Sequence, residues 1–406
     1  MLLAVLAVAG CGSEEREPAP APPPISVEES RVEEPALAVG ITEPNPAFVW
    51  SASAWPELPA EFERWRDELT VVDPAYYRLV VNWGALQPVA DRPADLDQPR
   101  EGCLRATPPC QAWSGLREQL AALSSRQRTG GWEGVVVLTG TPEWAARRES
   151  PCERADAEPR SRMARPGALP AYRQLVSDVL AAADQAGARL RWWSPWNEPN
   201  HPVSLSPQHD PCGDLGSTPA VSAYARLAGE LRAALDAAPG RQGVVLGELA
   251  AIRESGRYST GITEFIRALP RELVCAAEVV ALHAYAGGRD PVATAWNAVL
   301  RHRCDARPWV WITETGAGFP PRDLSVAQAS ATRLAACQEL EARLRRWHRD
   351  PRVGAAFQYT FREDDLFRVG LASTALDAAF PTLGLWQAWG DTREPGDTPP
   401  AGACAT

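Results

Sequence analysis

GVVVLTG (134–140), AYRQLVSDVLAAADQAG (171–187) and LRWWSPWNE (190–198) follow one another in the chain, and their periodicities decide the fold. The outer two are apolar in their middles without alternation, as strands covered on both faces are. The central one repeats its apolar residues every three to four positions, the mark of a helix with one buried face. Strand, helix and strand in this order make a parallel unit with a crossover helix. The pattern continues in both directions. ALAVGIT (36–42) and YYRLVVNW (76–83) precede it, and GVVLGE (243–248), EVVALHAY (278–285), PWVWITETG (308–316) and GAAFQYTF (354–361) follow. Helical stretches such as EFERWRDEL (61–69), GLREQLAALSSRQR (115–128), AYARLAGELRAALDAA (223–238) and SATRLAACQELEARLRRW (330–347) lie between these runs. Eight strand runs alternating with helices predict an α/β fold, a (β/α)8 TIM barrel in a single domain with enlarged βα loops. A doubly wound open sheet would carry a Gly-rich phosphate turn after its first strand, and Glu43-Pro44-Asn45-Pro46 stands there instead.

The chain has 406 residues, 45% of them apolar and 23% charged, enough for one large core. Its formal net charge is −10 and it contains no Lys, so all 41 basic residues are Arg. An acidic chain without a basic cluster excludes nucleic acid as a partner. Nine cysteines and 16 tryptophans are the unusual counts.

Residues 1–10, MLLAVLAVAG, are too few to span a membrane and read as the apolar part of a secretory signal. Val8-Ala9-Gly10-Cys11 resembles the bacterial lipobox, which implies a lipid on Cys11 and a cell-surface location on the bacterial membrane. No basic residue precedes the apolar run, and cleavage after Ala9 is the plain alternative. Residues 11–35, rich in Pro and Glu, read as a disordered tether, residues 36–390 as the barrel and 391–406 as a tail. Without Cys11 eight cysteines remain, an even number that in an exported chain favours disulfides over metal. Cys103 with Cys110 flanks a short Pro-rich loop, and Cys152 with Cys212 and Cys275 with Cys304 are the pairings the barrel suggests.

In a TIM barrel the chemistry sits at the carboxyl ends of the strands. Strand four ends in Asn197-Glu198-Pro199-Asn200 and strand seven in Glu314-Thr315-Gly316, which sets two carboxyls on one rim. Such a pair suits hydrolysis of a glycosidic bond, one carboxyl protonating the leaving oxygen while the other attacks the anomeric carbon or activates water.

These motifs resemble those of the clan A glycoside hydrolases, retaining enzymes on (β/α)8 barrels, and the likeness runs from strand one to the last helix. WSPWNEPN is similar to the strand-four signature, which implies Glu198 as acid/base and Asn197 as partner of the sugar 2-hydroxyl. WITETG is similar to the strand-seven signature, which implies Glu314 as nucleophile. Arg78 matches the strand-two Arg that steadies the nucleophile's charge, and His283 and Tyr285 hold the strand-six positions, the Tyr bonding the nucleophile. The resemblance further implies a carboxyl separation of about 5–5.5 Å and an acid/base whose pKa is raised until the glycosyl-enzyme forms. It implies no cofactor and no metal. Trp83, Trp144 and Trp196, at or beyond strand ends, are expected to pack on sugar faces. Strand eight departs from the clan's pattern in having no Trp, and Tyr359 or Phe361 is expected to serve there.

An endo-β-glycanase of the cellulase or mannanase type is the first reading. The alternatives are an exo-acting β-xylosidase-like enzyme of the family 39 type, walled by the loops after strands three and four, and a non-catalytic glycan-binding lipoprotein on the same barrel. The expected partners are carbohydrate substrate and, through Cys11 alone, membrane, with the chain a monomer.

Overall fold

The computed structural model describes residues 37–101, 108–285, 288–317, 326–363, 368–390 and 400–404, which belong to one compact unit. The signal, the tether and Cys11 lie outside the described residues, as does Cys103.

Eight strands close a parallel barrel: β1 (Ala38–Thr42), β2 (Tyr76–Asn82), β3 (Glu133–Thr139), β4 (Leu190–Ser194), β5 (Gly243–Leu249), β6 (Val279–His283), β7 (Trp309–Thr315) and β8 (Val353–Tyr359). β1 closes the ring by pairing with β8 on one side and β2 on the other. Helices Ala60–Val72, Gly115–Thr129, Leu169–Ala186, Pro219–Ala237, Val292–Leu300, Val326–His348 and Pro381–Gly390 surround it. This is the (β/α)8 barrel expected from the strand runs. β5 is buried along its whole length and β6 likewise, the condition that makes such strands read as unbroken apolar runs.

The lumen below the rim is packed with side chains. Val135, Val245, Val279, Ala281, Trp311, Ala355 and Phe357 form its own apolar cluster, with Tyr76 and Trp192 against it. Tyr76 and Trp192 lie with ring centroids 4.8 and 5.0 Å from Trp311, so aromatic rings floor the site from several strands. Gly40 makes room for that floor, since a Cβ there would fall 2.2 Å from the Phe357 ring.

Disulfides join Cys152 to Cys212, Cys275 to Cys304 and Cys337 to Cys404. The first ties the loop after β3 to the loop after β4, and the third fastens the tail to helix Val326–His348. Cross-linking over a separation of 60 residues stabilises by about 4 kcal/mol on the chain-entropy argument. Urea unfolding of the double variant Cys152→Ser/Cys212→Ser is therefore expected to lose up to that amount. Unchanged stability would mean that the two loops hold each other without the bond.

Candidate active site

Strict in-and-out alternation along β2 turns Tyr76 to the lumen and, two residues on, Arg78, while β6 turns Ala281 and then His283 inward. Alternation by itself would face Glu248 and Glu314 away, because Val245 and Trp311 are the lumen residues of their strands. Two irregularities reverse this. Between β5 and β6 the three-residue step from Leu246 to Leu249 faces the two-residue step from Val280 to Leu282, a bulge. Gly247 there has φ 105°, and a Cβ on it would meet the Ala281 carbonyl oxygen at 2.8 Å. A second shift, between Leu282 and His283, brings His283 opposite Glu314.

At the mouth, Glu198 follows β4 in the left-handed region, φ 42°, a strained backbone of the kind that collects at functional sites. Its amide donates to the Glu248 carbonyl at 2.9 Å, and the Asn197 amide to the Leu138 carbonyl at 2.9 Å. Asn200 pins the same turn, its side chain accepting from the Ala250 amide and donating to the Ala250 and Thr260 carbonyls.

Three carboxylates and two cationic side chains interlock within this frame. Arg78, fully buried, sends Nη1 to Glu314 Oε1 at 3.0 Å and Nη2 to Glu248 Oε2 at 3.0 Å and to Asn197 Oδ1 at 2.8 Å. His283 Nδ1 lies 2.9 Å from Glu198 Oε1 and 3.4 Å from Glu314 Oε2, and Nε2 lies 3.0 Å from Glu248 Oε2. Tyr285 donates to Glu314 Oε2 at 2.7 Å, and Thr313 to Glu248 Oε2 at 2.6 Å. Glu198 is the most open member, its side chain 24% exposed against 9% for Glu314 and none for Glu248.

The electrostatics follow from that packing. Burial disfavours charge on His283, but the charge of Glu314 and the bonds to Glu198 and Glu248 prevail and carry its pKa up to about 10. Burial also opposes charge on Glu248, yet Arg78, His283 and Thr313 together hold it at about 2. Burial raises Tyr285 well above the usual phenol, with Glu314 adding to it, so the hydroxyl remains a donor.

Glu198 departs from the sequence expectation. Burial works to raise its pKa, but the His283 bond and charge, with His201 and Arg78 behind them, bring it below the ordinary carboxyl value. The proton donor nearest to Glu198 is His283, across the 2.9 Å contact.

Arg78, Asn197, Glu198, His283, Tyr285 and Glu314 are brought together as the motifs suggested. Tyr359, half-buried at the end of β8, is near enough to influence both Arg78 and Tyr285. Two tryptophans correct the expectation. Trp83 and Trp196 are fully buried, their indole N–H groups donating to Gln87 and to the Ser204 carbonyl, so neither offers a face to sugar. Trp83 packs edge-on against Trp144 and Tyr172 as part of the wall beneath the rim. Trp144 is half-buried and donates to the Gln87 carbonyl. Sequence reasoning missed Glu248 and Thr313. GVVLGE ends in the missed carboxylate, and its penultimate glycine was the available sign of a bulge.

No protein-family model matches the chain, and no curated protein does. Solved structures do. An exported protein of Bacteroides fragilis superposes with a TM-score of 0.57 at 12% identity, over 89% of this chain and 79% of that one. An endo-β1,6-glucanase does so at 0.56 and 11%, over 89% and 77%, and a GH30 endoxylanase of Clostridium papyrosolvens at 0.52 and 12%, over 90% and 74%. At these identities the likeness is one of fold.

Proposed function

We propose that the chain is a glycoside hydrolase of the clan A kind that cleaves β-linked poly- or oligosaccharides with retention of configuration, with Glu314 as nucleophile and Glu198 as acid/base. The observation that carries the reading is the meeting of both carboxylates on one imidazole nitrogen, at 2.9 and 3.4 Å. Both carboxyls therefore face one point of the rim, as a directly attacking nucleophile and its acid partner require. Arg78 and Tyr285 balance the charge of Glu314 and aim its carboxylate. Glu198, the exposed partner, passes a proton drawn from His283, 2.9 Å away, to the leaving oxygen and is left as the carboxylate. In the second step it takes the proton of the water that attacks the anomeric carbon. Asn197, oriented by Arg78, is free to bond the 2-hydroxyl through its amide. The glycoside hydrolases among the structural neighbours support the same substrate class.

The endo-acting reading is kept first although the WNEPN motif is common to both, and the disulfide between the loops after β3 and β4 favours the exo-acting alternative. The lengths of the products released from a long oligosaccharide separate the two. Export and a lipid on Cys11 belong to the same proposal, and disulfides fit an oxidising compartment.

The test is chemical rescue. Glu198→Ala is expected to lower hydrolysis of an oligosaccharide by about 10² to 10⁴-fold. Azide should then restore turnover of an activated aryl glycoside and yield a glycosyl azide of retained configuration. A product of inverted configuration, or wild-type rates without Glu198, would refute the assignment. Glycan binding without any hydrolysis by the wild type would leave the non-catalytic reading.

A further inference from the structure

Beside the catalytic residues lies a cavity of about 380 Å³, within the usual range for a ligand site. Arg78 and Tyr359 line it on the catalytic side, and Thr42, Asn82, Gln98 and Arg100 elsewhere. Arg78 also bonds Glu314, so the cavity adjoins the proposed nucleophile.

One polar group of its wall stands without a partner. Arg100 is half-buried, and its guanidinium meets no carboxylate and no hydrogen-bond acceptor among the described residues. The neighbouring charges do not answer Arg100. Arg78 is itself a cation, already occupied by Glu248, Glu314 and Asn197. Glu43, the acid in the cavity wall, has its two oxygens taken by the amides of Asn45 and Arg362, and burial lifts its pKa to about 7. Burial lowers the Arg100 pKa, with no nearby acid acting against it.

A half-buried guanidinium on a cavity wall without a counter-charge offers all its donors to an incoming anion. Its planar fork matches an oxyanion bidentately, whereas a neutral hydroxyl leaves most of its donors unmet. A sugar ring with an acidic substituent, bound next to the proposed nucleophile, presents such an oxyanion.

We propose that this cavity is a subsite for an anionic sugar, whose carboxylate or sulfate ester docks on Arg100. The inference rests on the glycoside hydrolase reading and narrows its substrates to acidic glycans. Charge-assisted bonds of this kind correspond to about ten- to hundredfold in affinity.

The experiment compares hydrolysis of neutral xylo-, gluco- and galacto-oligosaccharides with glucuronosyl-substituted, oligouronide and sulfated counterparts, by wild type, Arg100→Ala and Arg100→Lys. Expected is a preference for one anionic class. Arg100→Ala should lower kcat/KM for that class by at least about tenfold more than for neutral chains, and Arg100→Lys should restore part of the difference. Whether uronides or sulfate esters respond identifies the oxyanion. A variant that misfolds would lose both classes equally, so the salt dependence of the wild type is measured as well. KM should rise with NaCl for the acidic substrates alone. Hydrolysis of neutral chains with no anionic preference, or no selective salt effect, overturns the subsite and leaves the hydrolase reading standing. If nothing is hydrolysed, calorimetry with the same oligosaccharides decides. Binding of an acidic one that is lost in Arg100→Ala upholds the subsite while the hydrolase reading fails, and no binding overturns it.

Discussion

Glu314→Gln is expected to lose hydrolysis by about 10⁴-fold or more while the barrel stays folded. Removal of a covalent nucleophile has costs of this order because only the background of binding and charge stabilisation is left. The amide keeps the shape of the carboxylate and an oxygen for Arg78 or Tyr285, the two groups at 3.0 and 2.7 Å. It cannot attack the anomeric carbon. The decisive measurement is covalent labelling. An activated 2-deoxy-2-fluoroglycoside should add one glycosyl unit to the wild type, and peptide mapping should find it on Glu314. A label on any other carboxyl, or a label still taken up by Glu314→Gln, would give the nucleophile's part to another residue.

Glu248→Leu is expected to be the most destabilising single change near the site. It leaves the buried Arg78 and His283 short of the carboxylate that both contact at 3.0 Å. Breaking a buried ion pair on one side costs about 3–5 kcal/mol, because the remaining charge is stranded. Its pH signature separates this from lost packing. The Glu248 pKa falls from 4.5 to about 2 on folding, so its contribution is present above pH 4.5 and disappears as pH falls towards 2. The His283 pKa rises from 6.5 to about 10, so its contribution is full below pH 6.5 and disappears as pH rises through 10. The wild type should thus resist urea best between about pH 4.5 and 6.5 as far as this cluster governs it. In Glu248→Leu the acid-side fall should flatten. The alkaline fall should begin at a lower pH, since His283 loses one of the carboxylates that raise its pKa. A variant as stable as the wild type, with an unchanged pH dependence, would show that the cluster does not need Glu248.

The contrast between Arg78 and Glu248 explains how much of the site was legible in the sequence. Arg78 sits two residues beyond the lumen residue Tyr76 on a regular strand, so alternation alone turns it inward. Glu248 faces inward only because a bulge at Gly247 offsets β5 from β6. Local periodicity contains no record of such an offset. Trp83 and Trp196 failed as sugar platforms for a related reason. A position at a strand end does not say whether the chain next turns over the cleft or under it, and both indoles turn under and find backbone or amide acceptors there.

By itself the sequence determined the barrel, because doubly buried strands and one-sided helices leave period-specific apolar patterns that survive without any contact information. It also determined which carboxylates stand at the ends of strands four and seven. Only the tertiary structure decided that a third carboxylate joins them, that His283 links all three, and that Arg100 is left without a counter-charge beside the site. Those are properties of distance between strands far apart in the chain. Register shifts of a single residue set them, and with them the charge each buried group can keep.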